Sequence, residues 1–485
     1  METTGLRYQR LADELAGMIA NRILRPGDRL PSVRKLAHEK RLSVSTVVQA
    51  LRQLEDGGQI EARPQSGFFV RLPALDRLSP LEPPSRPRIA KPVTVDISSR
   101  LVGIRSLNFQ PDMVPLGAAL PGSDLLPIPQ LQRLYQLVGR QVSGLLNASS
   151  HTSLNRPELV RQLVRHSLEW GPPLAPEELV VTNSCTEALA LCLRAVTKPG
   201  DTVAVESPSY YLMLQLLENM GLKALEIPTH PRTGMSVDAL ELATRERRVA
   251  ACLLVANFNN PLGCLMPDSE KKRLADLMAA RQIPVIEDDV FGNLHFGPQR
   301  PWPIKSFDRT GNVLLCASTS KTLSPSLRLG YVAAGRFHRQ VVAQKTLTSG
   351  VTNPMTQVVT ARFMASAAYD RHLRSLRRSI EKQVLQMSDA VSQAFPAGTR
   401  LSQPQGGFVL WIELPDGRDG NVLHEQAIAA GIAFVPGEMF SASSQYRHCL
   451  RLNCGNPWTP QIEEAVKHLG KLAGALPMRQ NAGGG

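Results

Sequence analysis

The sequence STSKTLSPSLRLG, residues 318–330, is the most informative segment of this 485-residue chain. Within it Lys321 stands between hydroxyl side chains, and Arg328 follows seven residues later. An isolated lysine is usually a surface residue, but these residue types, in this order after an apolar run, predict a chemical site.

Short β-rich runs alternate with helical patterns on both sides of this segment. A helical pattern at residues 269–281 lies between two of the runs. This alternation is typical of an α/β fold with a mostly parallel central sheet. The runs cover residues 202–206, 251–256, 285–287, 313–316 and 328–333. In such a sheet, ligands bind beyond the carboxyl ends of the strands.

Three polar clusters follow predicted strands and therefore fall at that edge. They are TNSCTEA at 182–188, NFNNPLG at 257–263 and EDD at 287–289. Free backbone N–H groups at a helix start could hold a phosphate, and a carboxylate could pair with a cationic ring nitrogen. Helix capping and solvated strand ends also account for such residues, so each cluster alone leaves both interpretations open.

Together these motifs resemble those of the fold type I, pyridoxal 5′-phosphate (PLP) dependent aminotransferases, from about residue 110 to residue 475. The resemblance implies PLP as the cofactor, joined to Lys321 as an internal aldimine. It also implies that Asp288 keeps the pyridine nitrogen protonated, that Asn260 bonds the phenolic oxygen, and that Tyr210 stacks on the ring. The residues implied to bind the phosphate are Cys185 and Thr186, through backbone N–H groups, with Ser318, Ser320 and Arg328.

The same resemblance gives Arg451, in LRLN at 450–453, the role of binding the α-carboxylate of an amino acid as a bidentate pair. Two features depart from the family pattern. Phe291 stands where many relatives have a tyrosine that shares the phenolic oxygen. Asn155 and Val160 stand in a stretch where glycine and arginine are common. We therefore expect PLP binding with slow transamination.

The N-terminal part differs in charge and is set apart by a proline-rich segment. The whole chain carries 55 Lys and Arg against 42 Asp and Glu, a net charge of +13. Residues 1–105 hold 18 of the basic and 11 of the acidic residues. This excess predicts a polyanionic partner. Six prolines between Pro73 and Pro92 predict an extended linker.

The first 72 residues have the pattern of a winged helix-turn-helix domain. Apolar spacing predicts a first helix that ends near Ile23, before the turn at Pro26-Gly27-Asp28. A second helix is predicted to begin at Pro31-Ser32 and run to Lys40, and Ser43 is predicted to cap a third. Two short runs around PQSG at 64–67 then predict a hairpin.

From Arg25 to Val70 this part resembles the DNA-binding domain of the GntR family of bacterial regulators. The resemblance implies that the third helix enters the major groove and that the hairpin wing lies in the adjacent minor groove or on the backbone. Val44 and Val48 depart from the family, which often has arginine there, so base recognition shifts toward Gln49, Arg52 or the wing. The implied DNA contacts are Arg34, Ser43, Ser45, Thr46, Gln49, Arg63 and Gln65.

Cysteine usage argues against two other classes of protein. The seven cysteines are odd in number, scattered and without CxxC spacing, which argues against a disulfide framework and a zinc site, so no metal is expected. Residues 1–10 lack an apolar signal core, and no apolar run reaches about 18 residues. We therefore expect a cytoplasmic protein that does not span a membrane.

The combination of both resemblances is the architecture of the MocR subfamily of GntR transcriptional regulators. The expected layout is a winged helix-turn-helix domain at 1–72, a linker at 73–109, an aminotransferase-like α/β domain at 110–475 and a flexible tail at 476–485. Expected partners are double-stranded operator DNA, a second copy of the chain and a small amino compound that forms an external aldimine. Two alternatives stay open: an active aminotransferase, and a sensor of PLP alone.

Overall fold

The computed structural model describes residues 7–21, 23, 24, 27–63, 67–70, 79–82, 91–100, 110, 112–141, 143–146, 153–246 and 248–478. Within residues 7–70, three helices precede a hairpin. They are α1 (Arg7–Ala20), α2 (Val33–Lys40) and α3 (Val44–Asp56), followed by strands β1 (Ile60–Arg63) and β2 (Gly67–Val70). This is the predicted winged helix-turn-helix, with β1 and β2 antiparallel.

Local capping explains why these helices begin where the sequence predicts. The Ser32 hydroxyl accepts from the Lys35 N–H, and the Ser43 hydroxyl accepts from the Thr46 N–H at 3.1 Å. Each bond satisfies a backbone donor that the first helical turn leaves free. The predicted end of α1 near Ile23 is wrong, because the helix stops at Ala20 and the Ile23 side chain is 66% exposed rather than part of the apolar stripe.

The large domain is built on a sheet whose central strands are parallel. Its order is β4-β8-β7-β10-β11-β12-β13-β6, with β9 paired to β8. The pairs from β8 through β12 are all parallel, whereas β4 and β13 pair antiparallel to their neighbours. The strands are β4 (Val93–Thr94), β6 (Leu179–Thr182), β7 (Thr202–Ser207), β8 (Lys223–His230), β9 (Gly234–Met235), β10 (Ala251–Leu254), β11 (Val285–Asp288), β12 (Val313–Ser318) and β13 (Gly330–Ala333).

Helices cover this sheet and bury its strands. The strand residues of β6, β10 and β11 are buried throughout, as expected for a sheet covered on both faces. The helices are α4 (Ile128–Gln141), α5 (Pro157–Ser167), α6 (Cys185–Val196), α7 (Tyr211–Asn219), α8 (Val237–Glu246), α9 (Asp268–Ala280), α10 (His338–Thr348) and α11 (Pro354–Met364). Together with β4 and β6–β13 they form the predicted α/β architecture.

A second, mostly antiparallel sheet follows in the C-terminal part. Its order is β17-β18-β15-β14-β3. The long helix α12 (Ala367–Ala394) packs against α14 (Pro460–Ala475) beside it. The remaining elements are β3 (Ser79–Pro80), β5 (Val114–Pro115), β14 (Arg400–Leu401), β15 (Val409–Glu413), α13 (Gly420–Ala429), β16 (Ile432–Ala433), β17 (Val435–Pro436) and β18 (Cys449–Asn453).

Two pieces of the segment predicted as a linker pair with the large domain. Ser79–Pro80 lies parallel to Arg400–Leu401, and Val93–Thr94 lies antiparallel to Ala224 and Lys223. The Ile97 and Ser98 N–H groups also donate to the Glu218 carboxylate at 2.9 Å. Residues 79–80 and 93–98 are therefore anchored to the large domain.

Candidate functional site

A cavity of about 290 Å³ opens where strands of the central sheet end. Its lining includes residues that follow β6, β11 and β12, so the carboxyl edge of the sheet supplies the site, as the fold rule requires. Eight of the ten residues predicted for this site line the cavity: Cys185, Thr186, Tyr210, Asp288, Ser318, Ser320, Lys321 and Arg328. The other two, Asn260 and Arg451, contact each other in the buried layer beside it.

Lys321 lies in the turn that follows β12. Its Nζ donates to the Ala119 carbonyl at 2.5 Å. Burial lowers the pKa of this amine to about 8, against the opposing effect of the nearby Asp288 charge. A larger fraction of the amine is therefore neutral near physiological pH than for an exposed lysine, and the neutral form is the nucleophile.

Asp288 ends β11 and is only 4% exposed. Its Oδ1 accepts from the Val290 N–H at 3.0 Å and from the Cys185 thiol at 3.3 Å. Burial raises the pKa of this carboxyl to about 6. A buried carboxylate of this kind favours a cationic partner, and a protonated pyridine ring in the cavity would supply one.

The start of α6 forms one wall of the cavity. The Ser184 hydroxyl caps the helix by accepting from the Glu187 N–H at 3.1 Å. The first-turn N–H groups and the helix dipole make this end suitable for an anion. Strand β13 passes directly behind the start of α6, and Gly330 makes this close approach possible. A Cβ at position 330 would lie 2.6 Å from the Ser184 carbonyl carbon and 2.9 Å from the Cys185 nitrogen.

A buried ion pair fixes the first turn of α6 from behind. Lys345, fully buried, contacts the Glu187 carboxylate at 3.2 Å and donates to the Ser349 hydroxyl at 2.8 Å. Glu187 in turn accepts from the Asn183 N–H. Lys345 was not predicted from the sequence, because a lysine 158 residues away from its partner gives no local signal.

Arg451, on β18, is fully buried between two aromatic rings. Its guanidinium carbon lies 5.4 Å from the centre of the Phe440 ring and 5.8 Å from that of Tyr211. One terminal nitrogen donates to the Asn260 side-chain oxygen at 3.1 Å, and the other donates to the Gly117 carbonyl. Its Nε has no hydrogen-bond partner among the described residues. A carboxylate would provide the missing acceptor.

The structure therefore offers the groups that PLP requires. They are an amine with a lowered pKa, a buried carboxylate facing the same cavity, and a helix start flanked by hydroxyls and Arg328. The carbonyls of Gly117 and Ala119 are further contacts that the sequence analysis missed. The signal that could have found this loop is the run of small residues GAALPG at 117–122.

The two departures from the family have structural roles outside the cavity. Phe291 is buried and meets Phe408 edge to face, with ring centres 5.2 Å apart. The Asn155 amide donates to the Leu179 carbonyl at 2.6 Å and accepts from the Val181 N–H at 2.8 Å. Asn155 thus secures the edge strand β6.

In the N-terminal domain, the predicted DNA-contact residues cluster at α2 and the start of α3. Arg34, Ser43, Ser45 and Gln49 are exposed, and Thr46 is half-buried. The Ser43 hydroxyl lies 2.8 Å from that of Ser45 and 2.7 Å from that of Thr46, which orients all three. Arg63 is on β1 with its side chain outside the described part, and Gln65 lies outside the described residues altogether.

Comparison with known proteins identifies both parts of the chain. The family of bacterial regulatory proteins called gntR matches residues 7–70, and aminotransferase class I and II matches residues 148–469. The uncharacterized HTH-type transcriptional regulators YjiR and YdcR of Escherichia coli K12 are 38% and 36% identical to this chain, respectively. Each match spans 96% of this chain and 98% of the relative. The chain belongs to the MocR type of GntR-family regulators.

Solved structures extend this assignment of the MocR-type chain to its cofactor. The multiple substrate aminotransferase of Thermococcus profundus superposes with a TM-score of 0.71 at 26% identity, covering 78% of this chain and 95% of that one. LysN of Thermus thermophilus, complexed with N-(5′-phosphopyridoxyl)-L-leucine, superposes at 0.70 and 26% identity over 76% and 94% of the two chains. PLP is the cofactor that this fold and family imply.

Metal-ion clusters and membrane-spanning helices are the other features that bear on function. Among the described residues, no group of three or more His, Cys, Asp or Glu side chains is arranged to hold a metal ion. The seven cysteines are all buried and free. In the described ranges no helix has the length and apolar character needed to cross a bilayer.

Proposed function

We propose that this MocR-type regulator binds PLP at Lys321 and uses it to sense PLP, an amino compound, or both, while the N-terminal domain binds operator DNA in the cytoplasm. The observation that carries the proposal is the Lys321 amine in the same cavity as Asp288. That pair occurs in a chain whose helices and strands between residues 7 and 70 form a winged helix-turn-helix.

Each residue of the site would have a distinct task toward the cofactor. Lys321 would bind it covalently, Asp288 would hold a proton on the ring nitrogen, and Tyr210 would lie against the ring face. Cys185, Thr186, Ser318, Ser320 and Arg328 would bind the phosphate. When bound, PLP supplies an electrophilic carbon for amino groups and an electron-withdrawing ring.

The amino compound that fits this site is an α-amino acid. Arg451 would bind its carboxylate, with the unpartnered Nε as one of the donors. Asn260 already fixes the guanidinium plane at 3.1 Å. The homodimer is part of the same proposal, since the aminotransferase fold typically dimerises.

A working aminotransferase is the second candidate. Its support is the complete set of Lys321, Asp288, Asn260 and Arg451, and a 30% identity to aromatic-amino-acid aminotransferase 1 of Thermococcus litoralis over 74% of this chain. Against efficient turnover stands Phe291, which packs on Phe408 and has no hydroxyl to offer the cofactor. A misplacement of about 1 Å can cost roughly 100-fold in rate, whereas binding tolerates more.

Borohydride trapping tests the covalent assignment. The purified protein should absorb in the near-visible, and borohydride should fix PLP to the peptide that contains Lys321. The variant Lys321→Ala should lose the covalent link while an exposed control, Lys272→Ala, keeps it. PLP still fixed to Lys321→Ala would assign the attachment to another lysine.

A donor screen separates the two candidate functions. We expect a spectral response to some amino acid but slow turnover with pyruvate or 2-oxoglutarate as acceptor. Several turnovers per second with any pair would make the aminotransferase the better description.

A further inference from the structure

The long helix α12 contacts the segments that carry both principal cofactor residues. The His372 Nε2 donates to the Thr322 carbonyl at 2.6 Å, and Thr322 directly follows Lys321. Five residues later the Arg377 Nε donates to the Asn293 carbonyl at 2.9 Å. Asn293 lies on the segment that leaves Asp288. The first half of α12 is thereby bonded to the backbone on two sides of the site.

The same helix contacts the N-terminal domain further along. Lys382 lies 2.5 Å from the Asp28 carboxylate. Its stem also faces the backbone of Gly27, where a Cβ would lie 3.7 Å from Lys382 Cγ and 3.9 Å from Leu385 Cδ1. Gly27 has a φ of +79°, a conformation that favours glycine and that brings this turn flat against the helix.

The turn that Lys382 contacts is part of the wing. The Gly27 N–H donates to the Val70 carbonyl at 3.0 Å, and the Val70 N–H donates to the Asp28 carbonyl at 2.9 Å. Leu30 then donates to Phe68 at 2.9 Å. Residues 27–30 therefore lie beside β2 and are hydrogen-bonded to it. A displacement of Asp28 would be passed directly to the wing.

The helix between these contacts is suited to move as one body. Its inward face is buried along its length, including Leu373, Leu376, Ile380 and Val384. His372 and Lys382 are ten residues apart, about 15 Å along a helix. A shift at Thr322 or Asn293 therefore reaches Lys382 without crossing a loop.

We propose that α12 is the element through which the PLP site controls the wing, with the contact between Lys382 and the Gly27–Asp28 turn as its output. This proposal rests on the proposed regulatory function, because it gives that function its route. It assigns a role to Asp28, Lys382 and Leu385, none of which touches the cofactor cavity.

Hydrogen exchange on the full-length protein, without and with saturating PLP, tests the route in the absence of DNA. In the wild type, PLP should change the exchange of amides 27–30 and 67–70 as well as those near Lys321. In Lys382→Glu and in Asp28→Lys the change near the wing should be lost while the change near Lys321 remains. The double variant that combines Lys382→Glu with Asp28→Lys should restore the change near the wing.

Two further variants keep the test interpretable. Lys382→Gln retains most of the stem, so it should fold like the wild type and still lose the response. Arg378→Gln removes an exposed cation one turn earlier on the same helix, in the same way as Lys382→Gln, and should keep the response.

The proposal is overturned if PLP leaves the wing amides unchanged in the wild type, if the response persists in the Lys382 variants, or if the double variant fails to restore it. An equal loss in Arg378→Gln also overturns it. A protein that passes this test but binds no DNA would refute the regulatory function and leave the contact route standing.

Discussion

At Lys321, burial and the charge of Asp288 act on the amine in opposite directions, and burial dominates. The pKa of the amine falls from 10.5 to about 8. The neutral amine is the form that attacks a carbonyl carbon. The fraction of neutral amine rises as the pH rises toward the pKa. The rate of PLP attachment should therefore depend on pH with the pKa of Lys321.

The rate of PLP loading should therefore rise about tenfold per pH unit below pH 8 and level off above it. Stopped-flow absorbance between pH 6 and pH 10 measures it. Asp288→Asn removes the charge that raises the pKa of Lys321, so the midpoint should move to lower pH. A rate that keeps climbing to pH 10 would show an ordinary exposed amine instead.

The proposed role of Arg451 allows binding of the effector to be tested separately from binding of the cofactor. It is buried, and its guanidinium donates to the Asn260 side-chain oxygen and to the Gly117 carbonyl. Arg451→Ala should abolish the spectral response to amino acids, while the PLP spectrum stays. Arg451→Lys keeps the charge but loses the bidentate geometry, so its response should be weak. The response is measured by titrating amino acids and following the near-visible absorption band. An unchanged response in Arg451→Ala would show that Arg451 does not bind the carboxylate of the amino acid.

The residues of the site divide into those that sequence can predict and those that it cannot. Lys321 and Asp288 stand in short polar clusters after predicted strands, and Arg451 is found only through the resemblance to the aminotransferase family. The Ala119 carbonyl lies 202 residues away from Lys321, and a backbone carbonyl has no residue type to reveal it. The thiol contact between Cys185 and Asp288 is similarly non-local, since 103 residues separate them.

At the scale of elements, local signals predicted the starts of helices and missed the pairing of distant segments. Ser32 and Ser43 cap α2 and α3 as predicted, because capping involves only the next three residues. Strand pairing of Ser79–Pro80 with β14 joins residues more than 300 positions apart, and proline-rich composition gave no hint of it. Such pairing depends on tertiary contacts that propensity does not describe.

Two exposed residues, Arg34 on α2 and Gln49 on α3, lead to a prediction about DNA binding. Arg34→Ala should weaken binding to all sequences alike and reduce its salt dependence, because a phosphate contact releases counterions. Gln49→Ala should instead change the ranking among sequences, because it alters a base contact. Binding curves of residues 1–105 and of the full chain on upstream DNA, at several salt concentrations, distinguish the two. Equal effects of both variants on ranking would contradict these roles.

For the whole molecule, the proposed regulation requires an allosteric coupling between the PLP site and the DNA-binding domain of the same chain. Coupling of this kind usually changes an affinity by about fivefold to 150-fold. A ligand shifts the protein only if it binds two states with different affinity. The DNA affinity of the intact protein is therefore the quantity that reports on the connection.

The direct test is the dissociation constant of the full-length protein for DNA from its own upstream region, measured without PLP, with PLP, and with PLP plus a panel of amino acids. The account predicts that at least one of these additions changes the dissociation constant by about fivefold or more in the wild type. The same additions should leave Lys321→Ala unchanged. Equal dissociation constants for the wild type under all three conditions would contradict the account.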